Sequence, residues 1–513
     1  MRSFILFSGL LFGLTAFAFS QTDIPDKAEV SGVWQTAGSP YRINGEAIVP
    51  ADSCLVIEPG VRIEFKTGSN HEYINPSFDL GLLRVKGCLK VQGTAEQPVI
   101  FTGQGNSGSW GLLFFDEGAA DSSYLRFATI EHASYIRYLQ NWVDYYGALS
   151  IADAAIAIEH CRLINNANDG LFVKQAAPVI SNCLIAQNGQ NGIRALSQSD
   201  LQINSATIAD NGLAGLDCGV SSQPQIINSI FRGNQNDFTL GNFAQISVSY
   251  SMLQSEEIPE GVISGNGNLW GKAPKFISPA QLNYQLSANS FAVNNGIPDT
   301  TGLQLPPTDL NGQARVRFGR IDIGAFERTD SYLRLVYPNG NEPFVVQTTE
   351  TLRWQTNVSA VELQFSEDNG QTWLSIGTVS NQKQLDWEVP DIPSEECLLR
   401  VRDANNTALT DTSDTTFIID DHAIIRDGLK VSGVWSKQMS PVEIRGTAIV
   451  PADSILRIEP GVHVALHSGT HFNYHSPAFD AGFLWVQGGI SAVGTEQDSI
   501  IFDAWGNGHW SAL

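Results

Sequence analysis

Between Asp153 and Phe238 the chain repeats itself. IAIEHCRLINNANDG, PVISNCLIAQNGQNG, LQINSATIADNGLAG and QIINSIFRGNQNDF follow one another, and Asn166, Asn188, Asn211 and Asn234 fall 22 or 23 residues apart. The first three are each followed four positions on by Gly170, Gly192 and Gly215. Short Ile/Val/Leu runs broken by Asn and Gly at this period specify the stacked coils of a solenoid, each with two or three short strands, rather than a sandwich. A sharp corner needs left-handed backbone, which Asn and Gly tolerate, so the repeated Asn is expected at the corners. Stacking would bring equivalent Asn side chains within about 5 Å, close enough for amides to hydrogen-bond up the stack. Cys161 and Cys183 share one coil position, where packed thiols are preferred to a disulfide.

The rest of the composition agrees with an all-β chain. Charged residues make up only 16% while there are 47 glycines, which disfavours long charged helices. Ahead of the coils, IVPADSCLVIEPGVRIEF, LLRVKGCLKVQGTAEQPVIFT and SWGLLFF alternate strands with Glu58-Pro59-Gly60 and Gly93-Thr94 turns. Val61, Ile63 and Phe65 alternate with Arg62 and Glu64, the period of a wall with one buried face. After the coils come LNYQLSANSFAVNNG and DLNGQARVRFGRIDIGAFE. Together these segments resemble the right-handed parallel β-helix of the pectin-lyase-like superfamily, as in secreted bacterial β-helix repeat proteins. The resemblance implies one such solenoid over residues 28–328.

From LVYPNGNEPFVVQTTETLRWQTN through AVELQFSEDNGQTWLSIGTV to DTTFII, alternating strands at short spacing read as a β-sandwich over residues 332–419. The pattern resembles the Ig-like modules of large bacterial surface proteins. Within it SEDNGQTW looks like a single Asp-box hairpin, read as a structural turn. At Ser432 the opening returns: SGVWSKQMSPVEIRGTAIVPADSILRIEPGV matches SGVWQTAGSPYRINGEAIVPADSCLVIEPGV from Ser31, at a constant offset of 401 residues from Val30 to Asn106. Residues 424–513 are therefore expected to begin a second β-helix. Because that copy reaches only a few coils, the chain is expected to be a fragment of a longer protein.

Met1-Arg2-Ser3, the apolar run FILFSGLLFGLTAFAF and small residues at Ala16, Ala18 and Ser20 read as a secretory signal peptide over residues 1–20, placing the mature chain outside the cell or on its surface, with no membrane span after cleavage. Export permits disulfides. Cys54 and Cys88 vanish together in the second copy, as Ile455 and Gly489, which suits either a bonded pair or two buried thiols.

Thirty Lys and Arg against 53 Asp and Glu give a net charge of −23, so a nucleic acid partner is excluded. GQGNSG from Gly103 has a strand rather than a helix after it and is read as a turn, not a dinucleotide site. His463, His467, His471 and His475 recur every four residues, but on a strand and its following loop only the first two share a face. A solvated polar face is preferred to zinc, and no metal or cofactor is assigned. Asp309, Asp322 and Glu327 among Arg315, Arg317 and Arg320 are read as ion pairs sealing the end of the first solenoid, in preference to calcium binding or catalysis.

The catalytic sets of polygalacturonases and pectate lyases, enzymes of the resembled superfamily, are not recognised in the chain. What stands out is HASYIRYLQNWVDYYG, an aromatic-rich interruption of the coil rhythm. Exposed rings stack on sugar faces while polar neighbours bond hydroxyls. The candidate ligand residues are thus Tyr135, Tyr138, Trp142 and Tyr145 as rings, with Trp142 the anchor, and Arg137 and Asp144 as hydroxyl partners. The competing reading is a lid packed on the solenoid flank. The expected function is an exported, non-catalytic scaffold or adhesion protein that binds a polysaccharide or cell-surface glycan. The alternative is a polysaccharide lyase or glycoside hydrolase. The sequence leaves oligomeric state open.

Overall fold

Three long parallel sheets of eleven, nine and ten strands run side by side through residues 22–270, each coil giving one strand to each sheet before the chain climbs to the next. The computed structural model describes residues 21–513 except positions 74, 107–108, 139–142, 302, 304, 317–319, 453, 469–480 and 506–513, and except the side chains of Asn106, Tyr138 and Val143. Residues 1–20, read from the sequence as a signal peptide, therefore lie outside the described residues. Among those described there is no α-helix, hence none long and apolar enough to cross a membrane. The chain divides into two units between Thr329 and Asp330.

In the first unit the inward columns are aliphatic and in register. Ile158, Ile180, Ile203, Ile226 and Val248 stack in one sheet, Leu163, Ile185, Ile208 and Phe231 in a second, Leu171, Ile193, Leu216 and Phe238 in the third. All of them are buried in one continuous core. Each such side chain contributes about 1.5–3 kcal/mol, and only a neighbouring coil can bury it.

The corners differ from expectation in one respect. Left-handed backbone falls at Asn165, Gln187, Asp210 and Gly233, one residue before each repeated Asn. That bend turns the next side chain inward, so Asn166, Asn188, Asn211 and Asn234 are buried. Each Nδ2 donates to the Oδ1 of the Asn one coil on at 2.9 Å, from Asn166 to Asn188, Asn188 to Asn211 and Asn211 to Asn234. The second N–H of each amide donates to a carbonyl, of Ile130, Leu163, Ile185 and Ile208 in turn. The glycine four residues on has a steric reason. A Cβ on Gly170, Gly192 or Gly215 would stand 2.8, 2.9 or 3.0 Å from the ladder amide of Asn188, Asn211 or Asn234. Cys161 and Cys183 are buried free thiols, the backbone N–H of Cys161 lying 3.4 Å from Cys183 Sγ.

Residues 276–327 close the first unit along its flank rather than across its end. Tyr284, Leu310, Ala325 and Phe326 pack on Ile164, Leu184, Ala186 and Ala209. His160 and Asn182 hydrogen-bond the Thr308 carbonyl, and Asn228 donates to that of Asp322. Arg315 pairs with Glu327 at 3.2 Å inside this seam, and Asp309 accepts the backbone N–H groups of Asn311, Gln313 and Glu327. Arg317 lies outside the described residues. The carboxylates thus hold the flanking segment to itself, while His160, Asn182 and Asn228 bond its carbonyls from the coils.

In the second unit, antiparallel sheets come first. Leu333–Tyr337, Thr349–Thr356 and Gln384–Glu388 form one, and Ala360–Ser366 pairs with Leu374–Ser380 and Ser394–Asp403 in the other. Their facing side chains include Phe344, Trp354, Phe365, Trp387 and Phe417. In the 366–373 hairpin, Asp368 accepts the Thr372 N–H and the Ser366 and Thr372 hydroxyls, Gly370 has φ 83°, and Trp373 Nε1 donates to Gly370 O. Residues 423–505 then return to parallel pairing, in sheets of four, three and three strands.

Candidate ligand-binding face

The aromatic-rich interruption is an antiparallel hairpin, Ile136–Tyr138 against Val143–Tyr145, laid on the outer face of the nine-stranded sheet. Strand alternation decides what meets it. With Leu113, Leu149 and Leu171 inward, Phe114, Ser150 and Phe172 must point out. Ile136 and Tyr145 cover Leu82, Leu112, Phe114 and Phe172. Tyr145 is only 5% exposed, its ring 4.4 Å from Phe114 and 5.6 Å from Phe172. It is therefore a packing residue and not an exposed stacker, because the outward Phe residues left an apolar patch needing cover. Behind it remains a cavity of about 10 Å³, lined by Glu46, Tyr73, Leu82, Arg84, Leu112, Phe114, Ile136 and Tyr145. That is room for about one water and no sugar.

The other candidates scatter around this base. Tyr135 is half-buried, stacked on His71 at 4.3 Å, and its carbonyl faces His71 Nδ1 at 2.9 Å. Arg137 is exposed, 3.5 Å from Asp144 and 3.8 Å from Glu72. Asp144 accepts the Tyr146 hydroxyl at 2.8 Å. The Tyr138 side chain and all of Trp142 lie outside the described residues. Tyr135, Arg137 and Asp144 are thus brought to one rim, while Tyr145 is taken from it.

Beside the hairpin the sheet face becomes ionic. Arg194 follows Phe172 in register and Asp217 follows Arg194. Arg194 Nε lies 3.0 Å from Asp169 Oδ2 and 3.5 Å from Asp217 Oδ2, with its guanidinium 5.3 Å from the Tyr146 ring. The Asp169 contact is close but poorly aligned, since Asp169 Oδ2 and Arg194 Nε make no hydrogen bond of good geometry. Asp169 Oδ1 instead accepts both N–H groups of Asn191, backbone and amide, at 2.9 Å. Burial pushes the Asp169 carboxyl up to about 6 against the pull of Arg194, and raises Asp217 as well. One cation is thus held between two carboxylates of weakened acidity, beside a tyrosine ring. Such a group can donate to and accept from hydroxyls, and it can also exchange a proton near pH 6.

Sequence reasoning passed over Asp169, Arg194 and Asp217. The signal was there: aligned on Gly170, Gly192 and Gly215, the residue two positions on reads Phe172, Arg194, Asp217. That is one outward column. Further back, Glu46 is buried, accepts the Tyr73 hydroxyl at 2.6 Å and contacts Lys27, and Arg84 bonds Asp116. Cys54 and Cys88, opposite each other in register, are disulfide-bonded.

Comparison with known families gives two matches. A family described as right handed beta helix region covers residues 129–267, and one described as pectate-lyase like beta helix domain covers residues 29–135. No curated protein matches the chain. Residues 29–267 accordingly form a right-handed β-helix, whose first part, residues 29–135, is similar to pectate-lyase-like domains.

Proposed function

We propose that the protein is an exported, modular, non-catalytic scaffold or adhesion protein that holds a polysaccharide or cell-surface glycan against the outer face of the nine-stranded sheet. In this reading residues 1–20 are a signal peptide, 332–419 an Ig-like module and 424–513 the start of a second β-helix. The observation that carries it is the rim where Tyr146, Asp144, Arg137, Arg194 and Asp217 meet: a ring beside paired donors and acceptors, next to a flank already covered by the hairpin. Sugars are recognised by this combination of ring face and hydroxyl partners. Affinity electrophoresis through gels containing neutral or acidic polysaccharides tests it. Retention that falls for Tyr146→Ala and Arg194→Ala supports the reading, and retention indifferent to both defeats it.

A second reading, a polysaccharide lyase or hydrolase, draws on the Asp169–Arg194–Asp217 group, because a carboxyl that burial pushes up to about 6, as at Asp169, suits proton transfer. New reducing ends or unsaturated uronates, lost in Asp169→Asn, would favour it over the scaffold.

A further inference from the structure

The second unit holds a cleft of about 300 Å³ where its antiparallel sheets meet the turn that opens its parallel strands. That volume is at the lower end of what small-ligand pockets occupy, about 300–1,000 Å³. The sheets contribute Tyr337, Val345, Thr348 and Glu350 to its wall, and the turn contributes Ser436, Gln438 and Met439. A ring, two apolar side chains and several hydrogen-bonding groups thus face one space. We infer that this cleft binds one small hydroxylated primary amine of the amino-sugar class, with its ammonium on Glu350, its carbon body against Tyr337, Val345 and Met439, and its hydroxyls within reach of Thr348, Ser436 and Gln438.

The charge balance selects a cation. Two carboxylates, Glu342 and Glu350, line the cleft, and no lysine or arginine does. Glu342 is held by the backbone, its oxygens accepting the N–H groups of Asn339 and Gly340 at 2.7 Å. Glu350 is half-buried and its hydrogen-bond partner is neutral, the Tyr337 hydroxyl at 3.3 Å. Burial raises the Glu350 carboxyl, as expected of a charge without a compensating cation. Burial and the two carboxylates raise the Tyr337 phenol as well, so it stays protonated and donates. Basic groups of the surrounding strands are engaged elsewhere. Arg353 lies against the Tyr337 ring at 5.0 Å, Lys437 pairs with Asp498 at 2.7 Å, and Arg445 and His467 contact Glu443 at 3.0 and 3.4 Å, while His471 and His475 lie outside the described residues. An ammonium in the cleft supplies Glu350 with the charged donor it lacks.

The coils alone do not account for these residues. In the first copy, 401 residues earlier, Ser436, Gln438 and Met439 are Gln35, Ala37 and Gly38. A Cβ on Gly38 would stand 2.5 Å from the Tyr41 hydroxyl, whereas the second copy has Val442 in place of Tyr41 and so has room for Met439. Met439 and Val345 both pack against the core of the parallel strands. The turn carries a thioether and an amide in the copy that the antiparallel sheets precede.

The test is calorimetric titration of the full chain with glucosamine, and with N-acetylglucosamine as its uncharged counterpart. Glucosamine should bind at one equivalent, and N-acetylglucosamine more than about tenfold more weakly. Glu350→Gln, which keeps the shape and removes the charge, should weaken glucosamine by more than about tenfold. Gln438→Ala, an exposed substitution to the first copy's residue, should weaken it by about fivefold with an unchanged melting temperature, and it carries the test if Glu350→Gln fails to fold. Equal binding of the two sugars, glucosamine binding unchanged in folded Glu350→Gln, or no binding by a chain with native circular dichroism overturns the inference.

Discussion

The first parallel strands of the first unit and those that follow residue 423 in the second carry alike inner faces and different outer ones. Ile24, Ile43 and Phe65 stack in register in the first, and Ile425, Ile444 and Leu466 stack the same way in the second. Outward, the first copy sets Glu64 between Arg42 and Arg62, whereas the second has Glu443, Ala465 and His463 at the positions of Arg42, Glu64 and Arg62. The third sheet differs too. Cys54 and Cys88 are bonded in one copy, while in the other Ile455 faces Gly489, whose missing Cβ leaves room for the isoleucine. Leu89 is fully buried under the following coil, and its equivalent Ile490 is 41% exposed. A coil's core belongs jointly to its neighbours, and its outer face is free to vary.

The largest expected effect lies inside the stack. Asn211→Ala removes the acceptor of both Asn188 N–H groups and the donor to Asn234 and Ile185. Leaving those groups buried and unpaired should cost about 3–5 kcal/mol in urea unfolding of the first unit. A cost below about 1 kcal/mol would mean that apolar stacking alone holds the coils.

Next comes the disulfide, which closes a separation of 34 residues. Its reduction should lower first-unit stability by about 3–4 kcal/mol and leave the second unit's transition where it was, since that unit has Ile455 and Gly489 instead. Calorimetry with and without reductant separates the two.

pH should divide the units further. Burial holds Asp169 and Asp322 near 6 in the folded first unit, above their unfolded values. The folded state therefore binds more protons, so this contribution is present at low pH and is lost as pH rises from about 4 to about 6, by up to about 3 kcal/mol per group. Asp169→Asn should flatten its part of that slope, read by hydrogen exchange at the Asn191 amide. In the second unit Glu443 runs the other way. Although burial opposes it, Arg445 and His422 hold its carboxyl below the ordinary range, so its contribution is lost as pH falls through the folded value.

The smallest effect should come from the outer face. Arg62→His, which writes the second copy's residue into the first, should change stability by less than about 1 kcal/mol in a thermal melt, because the Arg62–Glu64 pair is partly solvated and Glu64 keeps Arg42. A larger loss would show that the outer face is structural after all.

Much of this was legible in one dimension. The 22- to 23-residue period, the alternation around Ile63 and the repeat at Ser432 specify coils, because inward columns recur at fixed intervals and any coil must bury them against the next. What one dimension did not contain was direction. Whether Asn188 sits at a bend or just past it, whether Tyr145 faces water or Phe114, and whether residues 276–327 cross the end or run down the side all depend on surfaces built by residues far away in the chain. The same holds for the ionic clusters. Arg194 meets Asp169 and Asp217 across coils, and His467 meets Glu443 across strands. Solenoid stacking turns separations of more than twenty residues into distances of a few ångströms, so such partners are neighbours only once the coils are wound.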